Sequence, residues 1–254
     1  MTRKEKVFFD KLGIVAAATG SAVGLGNIWR FPYLLGQSGG GAFLVVYLIC
    51  VIFLGLPVMI SEFSIGRMAQ ANAVTSFRSL APNKKWWLIG AVGVLSAFLI
   101  LGFYMVVSGW TLEYIVQAIT NSFANHNVAD LSQAFTDFST NTWRPLIWIV
   151  LFTAINCAIV IAGVKKGIEK TTKFLMPLLF IIIITLGIRS VTLPRGINGL
   201  NFLFKFEFDK ITSKVILSAM GQAFFSLSLG MGCMITYGSY MNKSNNLSRT
   251  ALEI

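Results

Sequence analysis

Six stretches of this sequence are long and apolar enough to cross a bilayer, and nothing else limits the fold as tightly. A spanning helix needs about 20 mainly apolar residues. Segments 12–35, 41–69, 86–120, 145–163, 173–191 and 214–241 approach or exceed that length. Lipid offers no partner to an unpaired backbone group, so each segment is expected to be helical. Composition agrees: 12% of residues are charged and mean hydropathy is +0.72, whereas an average soluble domain is roughly 25% charged. A water-soluble globule and a disordered chain are both excluded. The chain reads as an all-α polytopic membrane protein, one transmembrane domain over residues 1–254.

The formal charge of +11 would suggest a nucleic-acid partner in a soluble protein, but here its location decides. With the N-terminus inside, the inner loops hold Arg3, Lys4, Lys6, Lys11, Arg67, Arg78, Lys84, Lys85, Lys165, Lys166, Lys170, Lys173, Lys243 and Arg249, 14 of the 21 basic residues. The outer loops hold Arg144, Arg189, Arg195, Lys205, Lys210 and Lys214. The positive-inside rule therefore predicts a cytoplasmic N-terminus and a multi-pass protein of the cytoplasmic membrane. Membrane lipid is a partner by this reading and nucleic acid is not. The basic start also resembles a signal peptide, but the apolar run continues without a stop into Asn27-Ile28-Trp29-Arg30-Phe31-Pro32, so it reads as a span.

Enzyme chemistry finds little support. Cys50, Cys157 and Cys233 lie singly in apolar stretches and read as buried thiols, and the single histidine, His126, sits in a polar loop. No nucleophile–base pair or metal cluster is evident. Among the loops, polar 121–142 is expected to carry short helical turns. The aromatic and charged loop 192–213 reads as an ordered loop with its rings at headgroup level. Residues 242–254 read as a polar linker with a helix starting near Thr250, and the chain reads as a portion of a longer protein.

Segments one and six interrupt themselves. The first contains Gly20-Ser21-Ala22-Val23-Gly24-Leu25-Gly26-Asn27 and the sixth Ser226-Leu227-Ser228-Leu229-Gly230-Met231-Gly232. Each glycine costs about 1 kcal/mol of helix propensity relative to alanine. The bland account is close packing, since Gly20 and Gly24 form a G-x-x-x-G pair. Two features favour a functional break. Asn27 and Arg30 follow directly, and polar groups at membrane depth need partners or a cavity. The broken segments also stand five apart, as matching members of a five-helix repeat, which is the sequence mark of a transporter binding site. Unwound backbone frees carbonyls for cations, and half-helix N-termini offer amides to an anion. Glu62, near the inner end of segment two, is placed either to accept hydrogen bonds from broken backbone or to be solvated. For Glu113 the solvated reading is preferred. Pro57 and Pro177 read as kinks.

Gly24-Leu25-Gly26-Asn27-Ile28-Trp29-Arg30-Phe31-Pro32-Tyr33, Gly39-Gly40-Gly41-Ala42-Phe43, Pro57 through Arg67 and Gly221 through Gly230 together resemble the neurotransmitter:sodium symporter family, in its bacterial amino-acid branch. The resemblance implies an inverted-repeat sodium symporter fold, with the first five-helix repeat plus the first helix of the second in this chain and helices 1 and 6 discontinuous. It implies one sodium ion at the Ala22 carbonyl, the Asn27 side chain and Ser226, and a second at the carbonyls of Gly20 and Val23. An amino-acid substrate would set its carboxylate against the amides around Leu25 and Gly26 and the Tyr104 hydroxyl. Its ammonium would face carbonyls at Ala22, Phe225 and Ser226, with Ser21 also lining the site. Its side chain would sit among Ile100, Tyr104, Phe225, Ser228 and Met231. Arg30, Tyr104 and Phe225 would form the outer gate.

Amine-carrying relatives place an aspartate where this chain has Gly24, so glycine implies a substrate bringing its own carboxylate. Met231, where some relatives have phenylalanine, implies room for a large apolar or aromatic side chain. Tyr47, Gln222 and Ser226 match positions used around chloride in chloride-dependent members, which leaves Cl− open beside Na+. At the inner gate, Glu5 and Phe8 stand where the family usually has arginine and tryptophan. The expected function is sodium-coupled amino-acid symport by alternating access. The alternative is a non-transporting membrane scaffold or receptor-like subunit on the same fold, and both a monomer and a homodimer are compatible with the sequence.

Overall fold

The interruptions foreseen in segments one and six shape the whole helical pattern. The computed structural model describes residues 18, 20, 22–24, 26–124, 127–194, 196–242 and 245–254. Ser21, Leu25, His126 and the inner-gate positions Glu5 and Phe8 lie outside them. Among the described residues four helices are long and apolar enough to span a membrane, and they are segments two to five. Segment six falls short of that length because it is split into two halves.

The first segment bends at Val23 and Gly24, takes a wide π-helical turn over Gly26–Arg30 and continues as α1 (Phe31–Gln37). A reversal at Gly39 and Gly40, both at positive φ, leads into α2 (Gly41–Ala69). Helix α2 widens to a π turn at Val51–Gly55, just before Pro57. Proline has no N–H to continue the ladder, and the wide turn absorbs the mismatch. Short α3 (Ala73–Leu80), capped by Asn72, precedes α4 (Trp87–Ile119). Then come α5 (Val128–Thr140), α6 (Trp143–Ile161), α7 (Lys170–Thr192), α8 (Gly196–Phe204) and the two halves of segment six, α9 (Ser213–Ser226) and α10 (Cys233–Ser239). Helix α11 (Leu247–Leu252) follows.

Contacts gather into two units, 1–94 with 169–254, and 95–168. In the first, Phe43 and Ala219 are fully buried beside Leu35, with Phe31, Tyr47 and Val215 packed around them, which joins α1, α2 and α9. Deeper in α2 the backbones meet: a Cβ on Gly66 would lie 2.0 Å from the Ile235 carbonyl oxygen, and one on Gly238 would lie 2.7 Å from that of Phe63. Small residues permit this crossing of α2 and α10. In the second unit, buried Glu113 accepts hydrogen bonds from Arg144 at 2.5 Å, from Gln117 at 2.6 Å and from the Trp148 indole.

Several expectations need correction. Glu113 is not solvated but is a buried anchor between α4 and α6. Cys157 is exposed in the protein, because an apolar stretch facing lipid looks the same in sequence as one facing protein. The 121–142 loop carries a 13-residue helix, α5, closed by a reciprocal capping box between Asn127 and Asp130. The 192–213 loop contains α8 and a short 3-10 turn at Phe208–Lys210. The final helix starts at Leu247, capped by Asn246, ahead of the expected Thr250.

Candidate functional site

The two breaks face each other within the first unit. At the first, the amides of Asn27 and Ile28 both reach the Gly24 carbonyl, at 3.0 and 3.2 Å, which folds the backbone tightly around the glycine. Asn27 donates its side-chain amide to the Ala22 carbonyl at 2.7 Å, and this turns its Oδ1 towards α9. Ser226, at the end of α9, donates its hydroxyl to that Oδ1 at 2.6 Å. Gln222, one turn earlier and fully buried, donates to Ser226 Oγ and to the Gly26 carbonyl, each at 3.1 Å. Buried polar groups are kept only when partnered, yet the Gln222 Oε1 has no hydrogen-bond partner. The carbonyl of Ala22, the carboxamide oxygen of Asn27 and the hydroxyl of Ser226 thus form one chain of hydrogen bonds across the two broken helices. Oxygen-only donors of this kind suit a hard cation.

The two glycines of the first break have different duties. A Cβ on Gly20 would lie 2.5 Å from the Thr172 methyl group, so Gly20 makes a close approach to α7. Among the described residues a Cβ on Gly24 would meet nothing within 4 Å. The packing explanation holds for Gly20 and fails for Gly24, which borders open space. Val23 occupies the bend between them, half-buried.

At the second break the chain runs through three left-handed positions, Ser228, Gly230 and Gly232. For serine that conformation is costly, and the break is held from several sides. Glu62 on α2, buried, accepts the Gly230 amide at 2.7 Å, so the hydrogen-bonding alternative for Glu62 is the one realised. Gly93 lets the start of α4 approach, since a Cβ there would lie 2.8 Å from the Gly230 carbonyl oxygen. Ser228 is buried and Met231 half-buried. Above the break, the Arg30 guanidinium lies 4.7 Å over the Phe225 ring, within cation–π range. Ile100 and Tyr104 lie four residues apart on one face of α4, in the second unit, both half-buried. Tyr47 packs its ring on Phe31 and Phe43, and no hydrogen bond joins it to Gln222 or Ser226.

Gly93 escaped the sequence reading as part of the site, while Gly232 was read only as part of the broken stretch. Gly90-x-x-Gly93 at helical spacing was the available signal for the first, since small residues at that spacing mark a close helix approach.

The family model for the sodium:neurotransmitter symporter family matches residues 5–127 and 120–254. The chain belongs to that family. It carries the first five-helix repeat of the inverted-repeat fold plus the first helix of the second, with helices 1 and 6 discontinuous, and is a multi-pass membrane protein. Among family members it is 42% identical over 245 residues to the uncharacterized sodium-dependent transporter YhdH of Bacillus subtilis, covering 96% of this chain and 54% of the relative. It is 27% identical to the mouse sodium-dependent neutral amino acid transporter B(0)AT2, over 93% of this chain and 36% of the relative. The crystal structure of MhsT in complex with L-phenylalanine is 46% identical with a TM-score of 0.91, covering 98% of this chain and 57% of that one. The chain thus spans about half the length of the family members it matches.

Proposed function

We propose that the whole protein is a sodium-coupled symporter of neutral amino acids with large apolar or aromatic side chains, working by alternating access in the cytoplasmic membrane with its N-terminus inside. The observation that carries this reading is the line of oxygens from Ala22 through Asn27 to Ser226, shared between two helices that both break at membrane depth. A sodium ion placed there would draw the two broken helices together. The Gly20 and Val23 carbonyls would contribute to a second ion.

The substrate would use the same breaks. Open space at Gly24 leaves room for a carboxylate carried by the substrate itself. The amides around Leu25 and Gly26 and the adjoining sodium would hold that carboxylate, together with the Tyr104 hydroxyl. The carbonyls of Ala22, Phe225 and Ser226, with Ser21 nearby, would receive the ammonium. Ile100, Tyr104, Phe225, Ser228 and Met231 would line the side-chain pocket. The phenylalanine bound by MhsT and the flexible, polarizable Met231 support an aromatic or large aliphatic choice. Arg30, held over Phe225, would close the outer side with Tyr104. Each sodium charge crossing 100 mV supplies about 2.3 kcal/mol to drive uptake. The aromatic surroundings of Tyr47 and the unpartnered acceptor on Gln222 give no support to an anion, so the proposal includes sodium and leaves chloride aside.

The test is uptake of labelled phenylalanine, tryptophan, tyrosine, leucine, alanine and glycine into vesicles carrying the full-length protein, under inward sodium or potassium gradients. Sodium-dependent uptake, competed by one side-chain class and weakened in sodium affinity by Asn27→Ala and Ser226→Ala, is expected. Absence of sodium dependence with insertion confirmed would refute symport and favour a membrane scaffold. Unchanged sodium affinity in both variants would refute the assigned ligands.

A further inference from the structure

The turn between α3 and α4 concentrates positive charge that the described residues leave unanswered. Arg78 ends α3, and Lys84 and Lys85 follow in a tight turn closed by the Lys84 amide on the Ala81 carbonyl at 3.1 Å. All three side chains are exposed. Among the described residues none of the three makes an ion pair, whereas Glu169, Glu207 and Glu253 each hold a lysine or arginine of their own. The Arg78 guanidinium instead lies 5.8 Å over the ring of Trp87, which fixes it beside the two lysines. Trp86 is exposed next to it, as are Leu80, Leu88 and Ile89. Tryptophan pairs at the start of a spanning helix belong at headgroup depth, and exposed apolar residues around them offer a seat to acyl chains.

The site is also rigidly placed. Ala73, at the start of α3, packs so closely on the second break that a Cβ on Gly232 would lie 2.7 Å from the Ala73 Cβ. A Cβ on Gly90 would lie 2.7 Å from the Ala73 carbonyl oxygen. The helix carrying Arg78 is therefore fastened to the hinge of segment six.

We infer that Arg78, Lys84 and Lys85, framed by Trp86 and Trp87, form a binding site for the phosphate headgroup of an anionic phospholipid. With the N-terminus inside, as proposed above, that lipid belongs to the cytoplasmic leaflet. A lipid, more than a free anion, fits because the cations adjoin exposed apolar side chains at the mouth of a spanning helix. Interfacial lysines and arginines each strengthen anionic-lipid binding about fivefold.

The experiment is native mass spectrometry of the full-length protein, titrated separately with phosphatidylglycerol, phosphatidylcholine and inorganic phosphate. The wild type is expected to retain phosphatidylglycerol in preference to phosphatidylcholine. In the triple variant Arg78→Gln, Lys84→Gln, Lys85→Gln that preference is expected to fall about fivefold per charge removed, while phosphatidylcholine binding stays unchanged and so reports intact folding. The charge-keeping set Arg78→Lys, Lys84→Arg, Lys85→Arg is expected to restore most of it. Equal phosphatidylglycerol binding by wild type and triple variant would overturn the site, as would an equal loss on Lys214→Gln in the first turn of α9. Displacement of the lipid by inorganic phosphate would show a free-anion site instead and overturn the lipid assignment. Since no readout depends on transport or sodium, failure here is separable from failure of the symport reading.

Discussion

Replacing Glu62 with alanine tests whether the second break is held by one buried acceptor. The Glu62 carboxylate takes the Gly230 amide at 2.7 Å from within the protein, at 8% exposure. A hydrogen bond to a charged group contributes about 1.5–3 kcal/mol, and leaving a buried N–H unpaired costs about 1–3 kcal/mol. These are two views of one loss, so Glu62→Ala should disfavour the observed break by about 2–3 kcal/mol relative to states in which water reaches Gly230. When the binding-competent state is penalised by that amount, apparent affinity falls roughly 30- to 150-fold. Glu62→Gln retains an acceptor without the charge, and a neutral bond is about half as strong. It should lose about 1 kcal/mol, or roughly fivefold. The assay is equilibrium binding of labelled phenylalanine to the purified full-length protein in saturating sodium, with sodium affinity measured in parallel. A threefold effect or less for Glu62→Ala would refute the reasoning. Equal damage from both variants would show that charge matters and the backbone acceptor does not.

Gly66→Ala drives a Cβ to 2.0 Å from the Ile235 carbonyl oxygen, with backbone on both sides, so a loss of about 3 kcal/mol or more is expected; a thermal melt in detergent matching the wild type would contradict it. Glu113→Ala strips three donors of their acceptor and should destabilise by about 1–3 kcal/mol. Arg144→Ala removes one donor whose side chain is 57% exposed, so it should cost less than Glu113→Ala in the same melts. The Glu207 carboxyl is held down at about 2, by Lys205 first and then Lys210. Its folded value lies below its unfolded one, so its contribution to ordering the segment between α7 and α9 is present above about pH 4.3 and is lost as the pH falls towards 2. Proteolysis within 196–212 should accelerate over that window in the wild type and stay flat in Glu207→Gln.

Apolar length carried most of this fold. Segment three was expected at 86–120 and forms Trp87–Ile119, and segment five was expected at 173–191 and forms Lys170–Thr192. The breaks were legible because glycine is expensive in mid-helix, and Asn27 because a polar side chain at that depth needs a partner, whereas Ser226 was singled out only through the family resemblance. What stayed hidden involves contact more than composition. Gly20 and Gly24 look alike in sequence, yet one abuts Thr172 and the other faces open space. Glu113 looked solvated because its partner Arg144 lies 31 residues away. Helix α5 had its signal in Asn127-Val128-Ala129-Asp130, a capping pattern obscured by the polar residues around it.

The arrangement of α2 explains how two half-helices separated by a break can still act as one body. The N-terminal part of α2 packs on α9 through Phe43 and Ala219, and the C-terminal part crosses α10 with Gly66 against the Ile235 backbone and Gly238 against that of Phe63. Midway, a Cβ on Gly55 would lie 2.5 Å from the Leu227 side chain, the first residue beyond α9. The wide turn at Val51–Gly55 therefore stands beside the break, and Glu62 fastens Gly230 one step further in. One continuous helix touches the first half, the break and the second half of segment six. Bending at the break would have to shear all of these contacts at once, including a backbone crossing with no slack. The less costly motion carries α2, α9 and α10 together, which would suit the rigid-body rocking of the symport proposed above. The first segment joins this body in two ways, through Phe31 and Leu35 packed on Phe43 and Ala219, and at its break through the hydrogen bonds of Asn27, Ser226 and Gln222. A sodium ion bound at Ala22, Asn27 and Ser226, as proposed above, would act mechanically as well as chemically, because it would strengthen the second of these links, a chain of neutral hydrogen bonds.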